Sequence, residues 1–189
     1  MSRPPCAALS DLDAGITIRA AEPADADAIA RIHYESWQTT YAGILPLDVI
    51  ASHVGRRDAA TWRKRLEAPA PGSALWLAER EGEIAGFASC GDARHRLETL
   101  EAEIYALYVL QRHQRRGVGR ELVRACARHF VRQGHFGFYL WVLKANRARM
   151  FYDAMGGQEI AEKRERLGLH SFVEVAYAWH DVTPLVVIG

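Results

Sequence analysis

The stretch QRHQRRGVGREL, Gln111 to Leu122, sets Gly117 and Gly119 one residue apart among Gln114, Arg115, Arg116 and Arg120. Glycines at such a spacing let a backbone turn sharply and come close to a ligand, and the arginines add positive charge at the same point. If a strand ends before the turn and a helix starts within it, free backbone N–H groups meet the positive end of the helix dipole. That combination binds phosphate. The segment has no G-K-[ST], so it is not a nucleoside triphosphate loop, and it has no third glycine at dinucleotide spacing. The spacing that remains is Gln114-x-x-Gly117-x-Gly119.

The flanking pattern supplies the strand and the helix. Glu101 to Leu110 (EAEIYALYVL) reads as a strand, and Gly119 to Gln133 as a helix with Leu122, Val123, Cys126, Ala127, Phe130 and Val131 on one face. Upstream, Ile16 to Ala20 alternates as a short strand, Pro23 opens a helix running to about Trp37, a short helix follows Pro46, and another covers about 56 to 66. Residues 74 to 80 and 84 to 90 form a hairpin around Glu81-Gly82-Glu83. Downstream, Phe136 to Leu143 is apolar on both faces, as a central covered strand is. Asn146 caps a helix through Met155 that Gly156-Gly157 ends, and 158–163 and 172–181 are closing strands. No repeat or linker divides the chain. The expected organisation is a tail over 1–14, one domain over 15–182, and an apolar end, 183–189, expected to pair with a sheet edge or a second subunit.

Taken in order, four features resemble the GNAT superfamily of acetyl-CoA-dependent N-acetyltransferases: the early SWQTTYAGILP, the strand EIYALYV, the loop Gln114-x-x-Gly117-x-Gly119, and the pair Asn146-x5-Tyr152 followed by glycines. The resemblance spans about residues 16 to 181. It implies an α/β fold with a mixed, mostly antiparallel central sheet flanked by helices, in which two strands splay to admit the cofactor.

The resemblance also implies roles. Backbone N–H groups from Arg115 through Arg116, Gly117, Val118 and Gly119 to Arg120 would hold the CoA diphosphate, with Gln114 opening the loop. The strand end Leu107, Tyr108 and Val109 would meet pantetheine, opposite a neighbouring strand near Trp141, and the Val109 N–H would stabilise an oxyanion. Asn146 caps its helix and is placed to bond a pantetheine amide. Tyr152 would protonate the departing thiolate. Glu103 is either the base that deprotonates the amine or a structural or positioning group, with Glu101 two residues earlier on the same face. Trp37 and Tyr41 would wall the acceptor pocket, with Glu35 and Asp48 drawing in a cation. A non-catalytic acetyl-CoA sensor is the alternative.

Composition narrows the partners. With 24 Lys plus Arg against 23 Asp plus Glu, the chain has no global pull on nucleic acid or anionic lipid, so the arginines recurring every four residues from 116 to 132 read as a solvated spiral. Cys6, Cys90 and Cys126 form no C-x-x-C, and the eight histidines form no H-E-x-x-H, so no metal is expected. No signal peptide or membrane span is legible, and a reduced cytoplasmic setting follows. The expected partner is an amine acceptor, with a homodimer open.

Overall fold

The computed structural model describes residues 15–55, 58–167 and 169–186. The expected tail over 1–14 and the last three residues lie outside this set. Seven strands form one sheet in the order β1-β2-β3-β4-β5-β7-β6. They are β1 (Ile16–Ala20), β2 (Ala74–Arg80), β3 (Glu83–Leu97), β4 (Leu100–Val109), β5 (Phe138–Leu143), β6 (Gln158–Leu167) and β7 (His170–Trp179). Every neighbouring pair is antiparallel except β4 with β5.

Helices cover both faces. On one lie α1 (Ala26–Thr40), α2 (Leu47–Gly55) and α3 (Ala59–Glu67); on the other lie α4 (Val118–Arg132), α5 (Arg149–Ala154) and the single turn α6 (Thr183–Val186). The periodic apolar face of α4, with Leu122, Val123, Cys126, Ala127 and Phe130, packs on Ala88, Ile104, Phe138 and Leu140 of the sheet. The opposite face buries Ile29, Ile32 and Trp62 against Leu77, Phe87 and Leu110. A third cluster joins Trp37, Tyr41, Leu45 and Ile50 to Tyr108, Leu143 and Phe172.

Three elements depart from the sequence expectation. Pro23 to Asp25 form a 3-10 turn rather than the first α-helical turn; Asp25 accepts from the Glu22 N–H and is gripped by Arg19, and α1 starts at Ala26. β3 continues to Leu97 through GDARHRL, which is polar and carries no alternation, because it pairs back on Leu100 and Ala102 through an irregular register. Finally, Thr183 to Val186 neither pair with a sheet edge nor stand free. Leu185 is buried in the α4-side core instead, and the rest of the expected apolar end, 187–189, lies outside the described residues.

Candidate active site

β4 and β5 pair only at Glu103–Tyr139 and Ile104–Leu140, although β4 continues to Val109 and β5 to Leu143. The two strands therefore part over the second half of β4. The flanking backbone hydrogen bonds fix which groups face the gap. The Leu110 N–H donates to Ala85 O (2.9 Å), so in the antiparallel alternation Val109 and Leu107 turn their N–H and C=O away from β3, towards β5. Likewise the Lys144 N–H donates to Val173 O (2.9 Å), which turns Leu143 and Trp141 away from β7, towards β4. Leu107 and Trp141 thus turn both peptide groups to the gap, and Val109 and Leu143 their N–H groups, while Val109 O accepts from Gln114 Nε2 and Leu143 O from the Asn146 N–H (2.8 Å). The bulge on β4 at Tyr105, skipped between the Ser89–Ala106 and Cys90–Ile104 pairs, sits where the strands begin to part.

The loop closes one end of this gap. Gly117 is left-handed (φ 86°) and is the residue before α4, and Arg115 also has positive φ (59°). The Glu121 N–H donates to Gly117 O (3.1 Å), and as at any helix start the N–H groups ahead of it have no intrahelical acceptor. Gln114 does a different job from its neighbours: its Nε2 donates to Val109 O (3.1 Å), tying the loop to the end of β4. Gly119 is small for packing, since a Cβ there would lie 3.3 Å from the Phe151 ring of α5. Arg116 lies 3.5 Å from Glu81 of the β2–β3 turn. Arg112 and His113 bond Glu83, the first residue of β3, and hold its carboxyl down at about 2, Arg112 contributing most.

Asn146, expected to cap α5, instead closes a turn ahead of it: its Oδ1 accepts from the N–H of Ala148 (2.9 Å), the residue at the N-cap of α5, and α5 delivers Tyr152 into the core at 6% exposure, beside Tyr177 and Trp179. Burial, with Tyr108 second, raises the Tyr152 hydroxyl above its ordinary range. Burial likewise pushes the Tyr41 hydroxyl well up, and Tyr108, Tyr152 and Glu174 add to the effect. Tyr41, the residue after α1, and Tyr108 of β4 pack in the third cluster and Tyr152 of α5 in the α4-side core, close enough for their hydroxyls to affect one another. Trp37 is buried; its indole N–H donates to Tyr108 Oη (2.8 Å), and its ring stacks on His53 at 3.8 Å. Beside Tyr41 a recess of about 350 Å³ is lined by Ile44, Leu143, Lys144, Ala145, Phe172 and Val173.

Glu103 lies at the closed end of the gap, 1% exposed. Its carboxylate accepts from the Arg94 backbone N–H (3.1 Å), Nε and Nη2, and from Tyr139 Oη at 3.3 Å. Burial and this carboxylate push the Tyr105 and Tyr139 hydroxyls up to about 12. Glu101 is exposed and bonds Arg96 instead. Arg94 was not singled out by the sequence because β3 was expected to end at Cys90. Of the acids expected near the acceptor, Glu35 bonds Arg31 and Arg112, and Asp48 lies 3.8 Å from His170. Among the described residues no group of three or more His, Cys, Asp or Glu side chains is placed to hold a metal, and no helix is long and apolar enough to cross a membrane.

Residues 29–156 match the acetyltransferase (GNAT) family. The uncharacterized N-acetyltransferase YuaI of Bacillus subtilis is 32% identical over 90% of this chain and 96% of its own length. The probable N-acetyltransferase Rv2775 of Mycobacterium tuberculosis is 33% identical over 73% of this chain and 77% of its own. Among solved structures, the PaiA N-acetyltransferase of Thermoplasma acidophilum in complex with coenzyme A superposes with a TM-score of 0.65 at 19% identity, covering 87% of this chain and 99% of that one. YncA of Salmonella typhimurium with its cofactor acetyl-CoA gives 0.61 at 21% identity, over 87% and 93%.

Proposed function

The chain belongs to the GNAT family and is an N-acetyltransferase, and from that premise we propose that it passes an acetyl group from acetyl-CoA directly to a primary amine, with Tyr152 as proton donor to the leaving sulfur. The observation that carries this reading is the parting of β4 from β5 with the peptide groups of Leu107, Val109, Trp141 and Leu143 turned into the gap.

The donor set suits a CoA thioester. Leu107 offers its N–H and C=O to pantetheine along one lip, and the N–H groups of residues 115 to 120 offer a diphosphate site at the start of α4. Acetyl-CoA supplies its acyl group as a thioester, open to attack by a neutral amine. The Val109 N–H is a fixed donor for negative charge developing on the acyl oxygen. Tyr152 Oη holds its proton because burial raises it, and gives it to the sulfur as that leaves. The amine's own proton leaves to water at the open side of the gap. For Glu103 the sequence left two roles open, and its four bonds to Arg94 and Tyr139 favour positioning: it fixes the point where β4 and β5 separate.

The sensor alternative requires neither a buried phenol at the gap nor an acceptor recess. The deciding experiment is a titration of acetyl-CoA beside an assay of free thiol released across a panel of amines. Binding with amine-dependent release supports the proposal. Binding without release for any amine supports the sensor, and absence of binding refutes the assignment of the gap and loop.

A further inference from the structure

Glu174 stands on β7 opposite Leu143 of β5, on the face of the sheet that carries the third apolar cluster. Leu143, in turn, sits on one lip of the gap and lines the 350 Å³ recess. Alternation along β7 puts Phe172, another wall of the recess, on the same face as Glu174. The carboxylate is 3.2 Å from Lys163 Nζ, its cross-strand partner on β6, and its side chain is 25% exposed. Lys163 reaches over the Trp141 ring, 4.3 Å from its centroid, and also meets Glu165 at 2.9 Å. An aromatic face and two carboxylates therefore already surround one ammonium group beside the gap. Tyr41, whose hydroxyl feels Glu174, joins this place to Tyr108 and Tyr152.

We propose that Glu174 is the anchor on which the acceptor binds as an ammonium ion before it gives one proton to water and attacks as the neutral amine, and that the acceptor is a primary amine carried on a small apolar body without a carboxylate. This rests on the acetyltransferase reading of the same gap. The body is assigned from the recess: Ile44, Leu143, Ala145, Phe172 and Val173 are apolar, and Lys144, its one charged wall, is bonded to Glu162. A volume of about 350 Å³ is at the small end of ligand sites. A carboxylate on the acceptor would bring a second anion beside Glu174, and a second ammonium would be buried among apolar walls. Lys163 is then an internal competitor, because its ammonium takes a place that the acceptor's can take.

The competition gives a test that a merely structural ion pair fails. Release of free thiol is followed with 2-phenylethylamine, hexylamine, phenylalanine and spermidine, and acetyl-CoA affinity is titrated in parallel. We expect 2-phenylethylamine or hexylamine to give a kcat/KM at least tenfold above phenylalanine and spermidine. Glu174→Gln should raise the KM of the preferred amine about 10- to 100-fold, the loss of one charge-assisted hydrogen bond. Lys163→Met keeps the aliphatic contact with Trp141 and should lower the same KM, while acetyl-CoA affinity stays unchanged in both variants. If the two variants move KM in the same direction, the pair is structural and the anchor is refuted. Tight acetyl-CoA binding with phenylalanine or spermidine preferred, or with none of the four consumed, overturns the acceptor class and leaves the acetyltransferase reading standing. No acetyl-CoA binding overturns both.

Discussion

Replacing Tyr152 by Phe removes one hydroxyl and little else. The ring keeps its contacts with Phe151, Tyr177 and Trp179, so the fold should persist, with a melting temperature within a few degrees of wild type. A positioned proton donor contributes about 10²- to 10⁴-fold, or roughly 2.7–5.5 kcal/mol of barrier. For Tyr152 as proposed donor the lower end is expected. A phenol near 10 hands a proton to a thiolate near 8.5 slightly uphill, by about 2 kcal/mol in water. Burial raises the phenol further, but a thiolate leaving into the same apolar surroundings is raised with it, so the mismatch stays about that size. We therefore expect kcat to fall about 100-fold at saturating amine, with the acetyl-CoA dissociation constant changed less than threefold. The assay is thiol release under single-turnover conditions beside a binding titration. Because the hydroxyl is raised, wild-type activity should show no basic loss attributable to Tyr152 below about pH 10. A fall in kcat under tenfold, or a loss of affinity that matches the loss of rate, refutes the proton-donor role.

Three other outcomes follow from the geometry. A Cβ on Gly86 would lie 2.5 Å from Tyr108 O and 3.1 Å from Val109 Cα, so Gly86→Ala must push the β4 lip outward. It should cost about 1–3 kcal/mol in chemical denaturation and weaken acetyl-CoA binding; unchanged affinity would detach that lip from the cofactor. Removing Arg94 as Arg94→Met leaves a carboxylate that is 1% exposed without its main partner, at about 2–4 kcal/mol. The double change Arg94→Met with Glu103→Leu should recover much of that loss, and a double variant no better than the single would show that the ion pair is not its source. Glu83, held at about 2 against an ordinary 4.5, favours the folded state above pH 4.5, and that contribution drains away as pH falls from 4.5 towards 2. Glu83→Gln should therefore flatten the drop in melting temperature across this window, and an unchanged slope would show that the contact is screened by water.

What the sequence made legible was whatever depends on short-range pattern. The loop glycines, the apolar stripe of α4, β4 to within a residue and the turn at Asn146 all have local causes: a dihedral, a helical repeat, an alternation, a side chain reaching two residues ahead. What escaped depends on pairing at a distance. GDARHRL becomes strand because Leu100 and Ala102 lie opposite it. With that strand comes Arg94, the partner that turns Glu103 from an apparent free carboxylate into a bonded one.

The same contrast separates the two halves of the site. The proposed cofactor half is made of backbone, and backbone geometry is written into glycine positions and strand lengths that a single sequence displays. The proposed acceptor half is made of side chains from α1, the α1–α2 connection, β5, β6 and β7, brought together only by the sheet order β4-β5-β7-β6. In that order β7 lies between β5 and β6, so Glu174 comes beside both Leu143 and Lys163, which are 20 residues apart in the chain. A family whose members share the first half can therefore differ freely in the second. The choice of amine is consequently to be sought in cross-strand neighbours such as Glu174 and Lys163, which pocket shape and charge make specific, rather than in the loop that announces the family.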